Sequence, residues 1–414
     1  MTRTDANGAA LPLDGIKVLD VASFIAAPIA ATVLADYGAD VVKVEPPGDG
    51  DPNRHIMHLS ASYPKSTVNY PWLLDSRGKR SLAIDLKNAA ARAAFDKLIA
   101  SADILIVNYP PKVREKLLMR YEDVAPVNPR LIYASFTGYG ETGPDADQVG
   151  FDANAYFARS GLADGCRYEG VFPGLPMPAQ GDRGSGLALA MGIMMALWNR
   201  ERTGKGTKVS SSLLANGIWA NGNFVQGALL GATLPLRPPP DRPRSALANV
   251  YETKDHRWIQ MTVVKEDQNF PDLVRELDLP QLARDSRFTD TTLRRKNSTA
   301  LAAILRDALS EHDFETVRAK LKRAAVPFSE IQTAMDVAGD AQAVHAGAVV
   351  ETDIPEMPKT LAPPFSLADA PLPKAQRAPA LGAHSVEVLR EAGVGEAAIE
   401  ALQEAKAIEV PAGS

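Results

Sequence analysis

A chain of 414 residues, at roughly 150 residues per domain, has room for two or three domains and is too long for a minimal binding module. Its 45% hydrophobic and 23% charged residues belong to an ordinary folded protein and exclude disordered, collagenous and coiled-coil classes. A net charge of -5, from 45 Lys and Arg against 50 Asp and Glu, offers no general basic field to a nucleic-acid backbone.

In chain order, Ile16 to Val21 reads as a short strand. Pro28 to Tyr37 reads as a helix opened by proline and closed by Gly38, and Val41 to Val44 as a second strand. The alternation continues with a strand at Ser81 to Leu86, a helix from Asn88 to Ala102, and a strand at Ile104 to Val107. A helix near Val113 to Met119 and a strand at Leu131 to Phe136 follow. Strands separated by helices imply an open parallel sheet covered on both faces, an α/β fold of Rossmann-like type. In such sheets ligands bind beyond the carboxyl ends of the strands, here near Ala22 to Ala26, Glu45 to Gly48, Asn108 to Pro111 and Thr137 to Gly143. A strongly apolar helix runs from Leu187 to Trp198, and the uncharged stretch Val209 to Leu236 reads as one buried helix with polar contacts. Its asparagines and serines make it unfit for a bilayer, so no membrane span is expected.

Leu234 to Arg244 holds prolines at 235, 238, 239, 240 and 243 and reads as an extended connector. Beyond it, strands at Asn249 to Thr253 and Trp258 to Val264 and helices around Phe270 to Leu277, Ser298 to Leu309 and Phe314 to Ala324 form a smaller α+β unit. A second proline-studded stretch, Pro355 to Pro379, leads to a final helix pair, His384 to Glu391 and Glu396 to Glu404. The domain expectation is therefore a large α/β domain opening with 1–233, a connector 234–248, a small domain 249–335, and a return segment 336–414 that completes the large domain.

Gly138, Gly140 and Gly143 match a dinucleotide fingerprint. However, the Pro144-Asp145-Ala146-Asp147 that follows opens no amphipathic helix, so a nicotinamide or flavin site is not expected. His55 and His58 lack a third ligand at metal spacing, and no metal is expected. The single cysteine, Cys166, has no histidine near it in sequence. It reads as a small buried hydrophobe of a reducing compartment, the cytoplasm; no apolar leader precedes it in Met1 to Ala10. Gly181-Asp182-Arg183-Gly184-Ser185-Gly186 stands apart. Asp182 sits where the central helix starts, and its bland role is an N-cap. The surrounding glycines are not needed by a cap and suit close approach of a bulky ligand, which makes Asp182 a candidate nucleophile.

Taken together, LDGIKVLDVASFIAAPIAATVLADYGADVVKVEPPGDGD, GKRSLAIDLK, ADILIVNYPP, ASFTGYGETGP, GFDANAYFARSG and GDRGSGLALAMGIMMALWNRERTGKGTKVSSSLL resemble the family III CoA-transferases from end to end. DSRFTDTTLRRKN, AVPFSEIQTAMDV and PALGAHSVEVLREAG continue the match. The resemblance implies that Asp182 attacks a donor acyl-CoA to form an anhydride and then an aspartyl-CoA thioester, from which CoA passes to an acceptor carboxylic acid. It implies that the N-H groups around Gly184 and Gly186 hold the oxyanion, that Ile25, Phe151 and Asp152 face the substrate, and that Phe24, Ala26, Ile84, Lys87, Asn108, Tyr109 and Lys116 bind CoA. Arg54, Lys79, Arg80 and Arg114 are further phosphate candidates. The resemblance also implies a homodimer of interlocked rings. Isoleucine at 25, where formyl-CoA transferase carries glutamine, points to a larger or more apolar acyl group. The racemase branch of the family carries a histidine where this chain has Phe151. The alternatives are therefore an acyl-CoA isomerase, a 2-methylacyl-CoA racemase, a dinucleotide-dependent oxidoreductase and a silent acyl-CoA-binding protein.

Overall fold

A computed structural model describes residues 3–174 and 176–411. The chain divides into two compact units. One holds the described residues of Met1–Asp164, Gly174–Thr233 and Val344–Ser414; the other holds Gly165–Pro173 and Leu234–Ala343.

The first unit is built on a sheet of β1 (Lys17–Asp20), β2 (Asp40–Glu45), β3 (Arg80–Ile84), β4 (Ile104–Val107), β5 (Ile132–Thr137) and β6 (Thr207–Ser212), all parallel. Their spatial order is 3-2-1-4-5-6, the doubly wound order whose direction reverses between β1 and β4. The apolar runs that marked these strands exist because both faces are covered: all four residues of β4 are buried. One face packs on α1 (Ala26–Asp36) and the long central helix. The other packs on a helix at Ala89–Ser101 and on the two carboxyl-terminal helices, Ser385–Glu391 and Glu396–Glu404.

Two elements of this sheet depart from expectation. Val209 to Leu236 is not one buried helix: Thr207–Ser212 joins the sheet as β6, and two short helices, Leu213–Ala220 and Gly222–Leu229, follow it. Exposure alternates along this edge strand, with Lys208 and Ser210 exposed between half-buried neighbours, a pattern that apolar content alone does not reveal. None of the residues of the Gly222–Leu229 helix is buried. The second departure is a two-residue antiparallel strand at Ile408–Glu409, which closes the opposite edge against β3.

The central helix runs Gln180–Thr203, seven residues further toward the amino terminus than its apolar run. It crosses α1 closely because residue 186 is glycine. A Cβ there would lie 2.5 Å from the Ala26 carbonyl oxygen and 2.7 Å from the Ile29 side chain. The second unit has an antiparallel sheet of three strands, Val250–Glu252, Trp258–Met261 and Phe328–Glu330. Tyr251, Ile259, Phe270, Phe288 and Leu305 form its core. Among the described residues no helix is long and apolar enough to cross a membrane.

Candidate active site

The carboxyl ends of β1 and β4 face each other at the reversal point, and the chain locks the loop between β1 and α1 there. Asn108, one residue past β4, accepts a hydrogen bond from the Ser23 N-H at 2.8 Å and donates one from Nδ2 to the Ser23 carbonyl at 2.7 Å. The next residue, Phe24, takes a left-handed backbone (φ 66°), which an L side chain adopts only when its surroundings enforce it. The enforcing group is Asp51, whose Oδ1 accepts the Phe24 N-H at 3.0 Å and whose Oδ2 pairs with the buried ammonium of Lys43 at 2.6 Å. Phe24 then meets Phe151 edge to face, ring centroids 5.6 Å apart, and Phe151 remains 51% exposed.

Asp182 is the third residue of the central helix. Ala179, the residue before the helix, has a left-handed backbone (φ 69°), and no side chain caps the helix, so the N-cap reading of Asp182 fails. The carboxyl of Asp182 is half-buried and pushed up to about 7. The main cause is burial, then the negative charges of Asp152 and Asp75; Arg183 pulls the other way. Asp152 opens a π-helical turn, Asp152–Ala158. It is almost fully buried, and its own carboxyl is raised because burial outweighs the N-H groups of Ala153, Gly181, Ala179 and Gln180 that face it. Its Oδ2 has no hydrogen-bond partner. Asp75 closes the helix Tyr70–Asp75, is wholly buried, and holds Arg183 through Oδ1 to a guanidinium nitrogen at 3.0 Å. Tyr63 faces the same cluster; burial first, then Asp75, Asp182 and Asp152, push its hydroxyl up to about 12. Asp182 thus lies within the negative fields of Asp152 and Asp75, and the guanidinium paired with Asp75 opposes them. Among the described residues, no group of three or more His, Cys, Asp or Glu side chains is placed to hold a metal ion.

The approach of Asp152 to Asp182 depends on two glycines. A Cβ on Gly150 would lie 2.7 Å from the Gly138 Cα, so the loop after β5 and the segment leading into Asp152 cross backbone to backbone. That is the use of Gly138, in place of a dinucleotide turn.

Several expected roles change. In the helix register, the N-H groups of Gly184 and Gly186 are committed to the carbonyls four residues back, and Gly186 is pressed on α1, so neither serves an oxyanion. The uncommitted N-H groups are those at the helix start, and they face Asp152. Ile25 is 4% exposed and packs in the core, so its side chain cannot select an acyl group; Phe24 and Phe151 present their rings instead. Ala26 and Ile84 are likewise buried, and Ile84 pairs with Ile408. The side-chain amide of Asn108 is spent on Ser23. Tyr109 is half-buried, while Lys87 and Lys116 are exposed.

The four further phosphate candidates are all engaged. Arg54 chelates Glu45 and lies 3.8 Å over Trp72; buried Lys79 pairs with Asp20 at 2.8 Å; buried Arg114 pairs with Glu141 at 2.9 Å. Arg80, at the amino-terminal end of β3, binds Asp40, Glu387 and Glu391. It lines a cavity of about 970 Å³ with Arg3, Lys17 and Asp40, at the amino-terminal ends of β1, β2 and β3, and Asp182 does not line it. Cys166 is exposed, not buried. Tyr63 and Asp75 lie outside every motif, and Arg183, Asp51 and Lys43 lie inside quoted segments that gave them no role; only the charge of Asp75 at the end of the apolar run Tyr70 to Leu74 hinted at one.

The family described as CoA-transferase family III matches residues 13–385. The chain is 31% identical to the (R)-2-hydroxy-4-methylpentanoate CoA-transferase of Clostridioides difficile over 96% of its own length and 99% of that protein's. It is 30% identical to the cinnamoyl-CoA:phenyllactate CoA-transferase of Clostridium sporogenes, covering 96% and 97% of the two chains. A solved CAIB/BAIF family protein from Brucella suis superposes with a TM-score of 0.82 at 29% identity, covering 92% of this chain and 99% of that one.

Proposed function

The chain belongs to CoA-transferase family III and is an enzyme of that class; from this premise we propose that Asp182 carries CoA between a donor acyl-CoA and an acceptor carboxylic acid. The Asp182 carboxylate attacks the donor thioester carbonyl, the C-S bond breaks, and CoA leaves as thiolate from a mixed anhydride. The thiolate attacks the aspartyl carbonyl, releasing the donor acid and leaving an aspartyl-CoA thioester. The acceptor carboxylate then runs the sequence backward. An anhydride is as activated as a thioester, so each exchange is near thermoneutral while water is excluded. The observation that carries this reading is Asp182 itself: a half-buried carboxylate at an uncapped helix start, raised in pKa and, among the described residues, without a hydrogen bond or ion pair. Two carboxylates and Phe151 in place of an imidazole favour transfer over two-base epimerisation.

The test is direct. Incubation with an acyl-CoA donor is expected to add the mass of CoA to the peptide containing Asp182, and hydroxylamine is expected to convert it to the hydroxamate. A label on another residue, or turnover with no label, overturns the assignment.

Support for an apolar acid comes from the exposed ring of Phe151 and the half-buried ring of Phe24 against it. Support for a homodimer of the interlocked type comes from the apolar surface of Met191, Met195, Trp198, Trp219, Leu229 and Leu230, more than a lone subunit usually leaves to water. The lone exposed Cys166 suits the cytoplasm. For CoA itself, Lys87, just past β3, and Lys116, past β4, are exposed cations at the carboxyl side of the sheet. Lys87→Ala is expected to weaken CoA by roughly tenfold, one charge-assisted contact, and dephospho-CoA by far less, measured by calorimetry. Equal losses would place Lys87 away from the 3'-phosphate.

A further inference from the structure

An acceptor acid reaches this site as an anion, and the site already holds Asp75, Asp152 and Asp182. Three carboxylates repel a fourth. The cation whose field reaches Asp182 is Arg183, the next residue in the helix. Its guanidinium is anchored on one side by Asp75, at 3.0 Å, while 38% of the side chain stays open to solvent. Asp75 is wholly buried and its Oδ1 makes no hydrogen bond besides this ion pair, so it fixes where the guanidinium sits without using the rest of the donor fork.

The charge balance changes when Asp182 becomes a thioester. The carboxylate that lay within the Arg183 field is then neutral, and Asp75 is left as the anion paired with a guanidinium of five donors. An incoming carboxylate restores the resting charge. We propose that Arg183 seats the acceptor's reacting carboxylate, occupying the place in its field that Asp182 vacates when it carries CoA. The seated oxygen attacks the Asp182 thioester carbonyl, the C-S bond breaks and CoA leaves as thiolate. The thiolate then attacks the acceptor's acyl carbon, the C-O bond to Asp182 breaks, and the Asp182 carboxylate returns to Arg183. No proton is gained or lost. One guanidinium serves one reacting carboxylate, and the aromatic edge of Phe24 and Phe151 lies at the same site for the body of the acid, so the substrate class is a monocarboxylate with an apolar chain.

This inference rests on the aspartyl-thioester reading, and the experiment separates the two. The CoA-loaded wild-type, Arg183→Gln and Arg183→Lys proteins, freed of donor by gel filtration, are challenged with 4-methylpentanoate and, separately, with neutral hydroxylamine. Breakdown of the protein thioester is followed by mass spectrometry. For Arg183→Gln, the rate with the carboxylate is expected to fall roughly 10- to 100-fold, the range of a charge-assisted pair, and the rate with hydroxylamine less than threefold. Arg183→Lys is expected to recover part of the loss. Equal slowing of both nucleophiles makes Arg183 a prop for the helix and overturns the proposal, as does no slowing of either. A wild-type protein that forms no thioester overturns the reading beneath it. Because Arg183→Gln leaves Asp75 buried and unpaired, the double variant Arg183→Gln/Asp75→Asn removes both charges and is expected to show the same selective loss.

Discussion

Asp182→Asn should reduce CoA transfer by about 10⁴-fold or more, the scale on which loss of a covalent nucleophile acts, because an amide keeps the shape and lacks the anion. The same substitution should make the protein more stable in alkaline solution. The Asp182 carboxyl is raised from 3.8 to about 7, so the folded state resists its ionisation while the unfolded chain does not. Stability from the protonated form is full below pH 4 and is lost as the pH rises to about 7; at pH 8 the wild type carries an ionised carboxylate in a site hostile to it. The Asn variant carries none. Water reaches the half-buried group, so the difference is about 1–3 kcal/mol, and the melting temperature of the variant should exceed that of the wild type by about 2 °C or more at pH 8 and by nothing at pH 4. A variant that is inactive and also less stable at pH 8 would mean that Asp182 holds the helix start together and that its catalytic role is unproven by the loss.

The strands β1 to β5 were legible because parallel strands buried on both faces must be apolar throughout, as at Ile104 to Val107, and because helices with one buried face separate them. β6 was not, since an edge strand with one face in water tolerates Ser210 to Ser212. Ile408–Glu409 could not be read at all: two residues have no period, and their partner in β3 lies more than three hundred residues away.

At the site, the sequence singled out the loops after β1 and β4, which the structure ties together through Ser23 and Asn108, and Asp182 at the helix start, but it could not tell free charges from paired ones. Arg54, Lys79 and Arg114 lie on segments that reach the carboxyl ends of the strands and are satisfied there by Glu45, Asp20 and Glu141, pairings that exist only after the sheet is assembled. Glycines misled in the opposite way. A glycine in a helix reads equally as access for a ligand or for another helix, and only the 2.5 Å approach of Ala26 to the position of a Gly186 Cβ decides for the helix. Asp75, at the end of its helix, and Arg183, in the first turn of the central helix, meet across more than a hundred residues of sequence; neither residue has a local signal for that encounter.

The carboxylate pair should be visible in the pH profile. After burial, the negative charge of Asp152 is the largest influence raising the Asp182 carboxyl, and Asp152 is itself raised by burial, so the two resist ionising together. In the free enzyme kcat/KM should therefore climb through an acid limb near pH 7, where Asp182 becomes a nucleophile. Asp152→Asn removes one charge and keeps an oxygen facing the Ala179, Gln180 and Gly181 N-H groups. Its acid limb should move down by about one pH unit, the shift expected when a like charge at close range is removed, so that below pH 6 the variant loses less activity than the wild type does. Asp75→Asn should also lower the limb, through the same loss of negative charge, but with weakened use of carboxylate acceptors because Arg183 is no longer anchored. A purely structural Asp152 predicts a lower plateau with the limb unmoved. An upward shift would show that Asp152 is already protonated at rest and donates to Asp182, a different arrangement of the same two carboxyls.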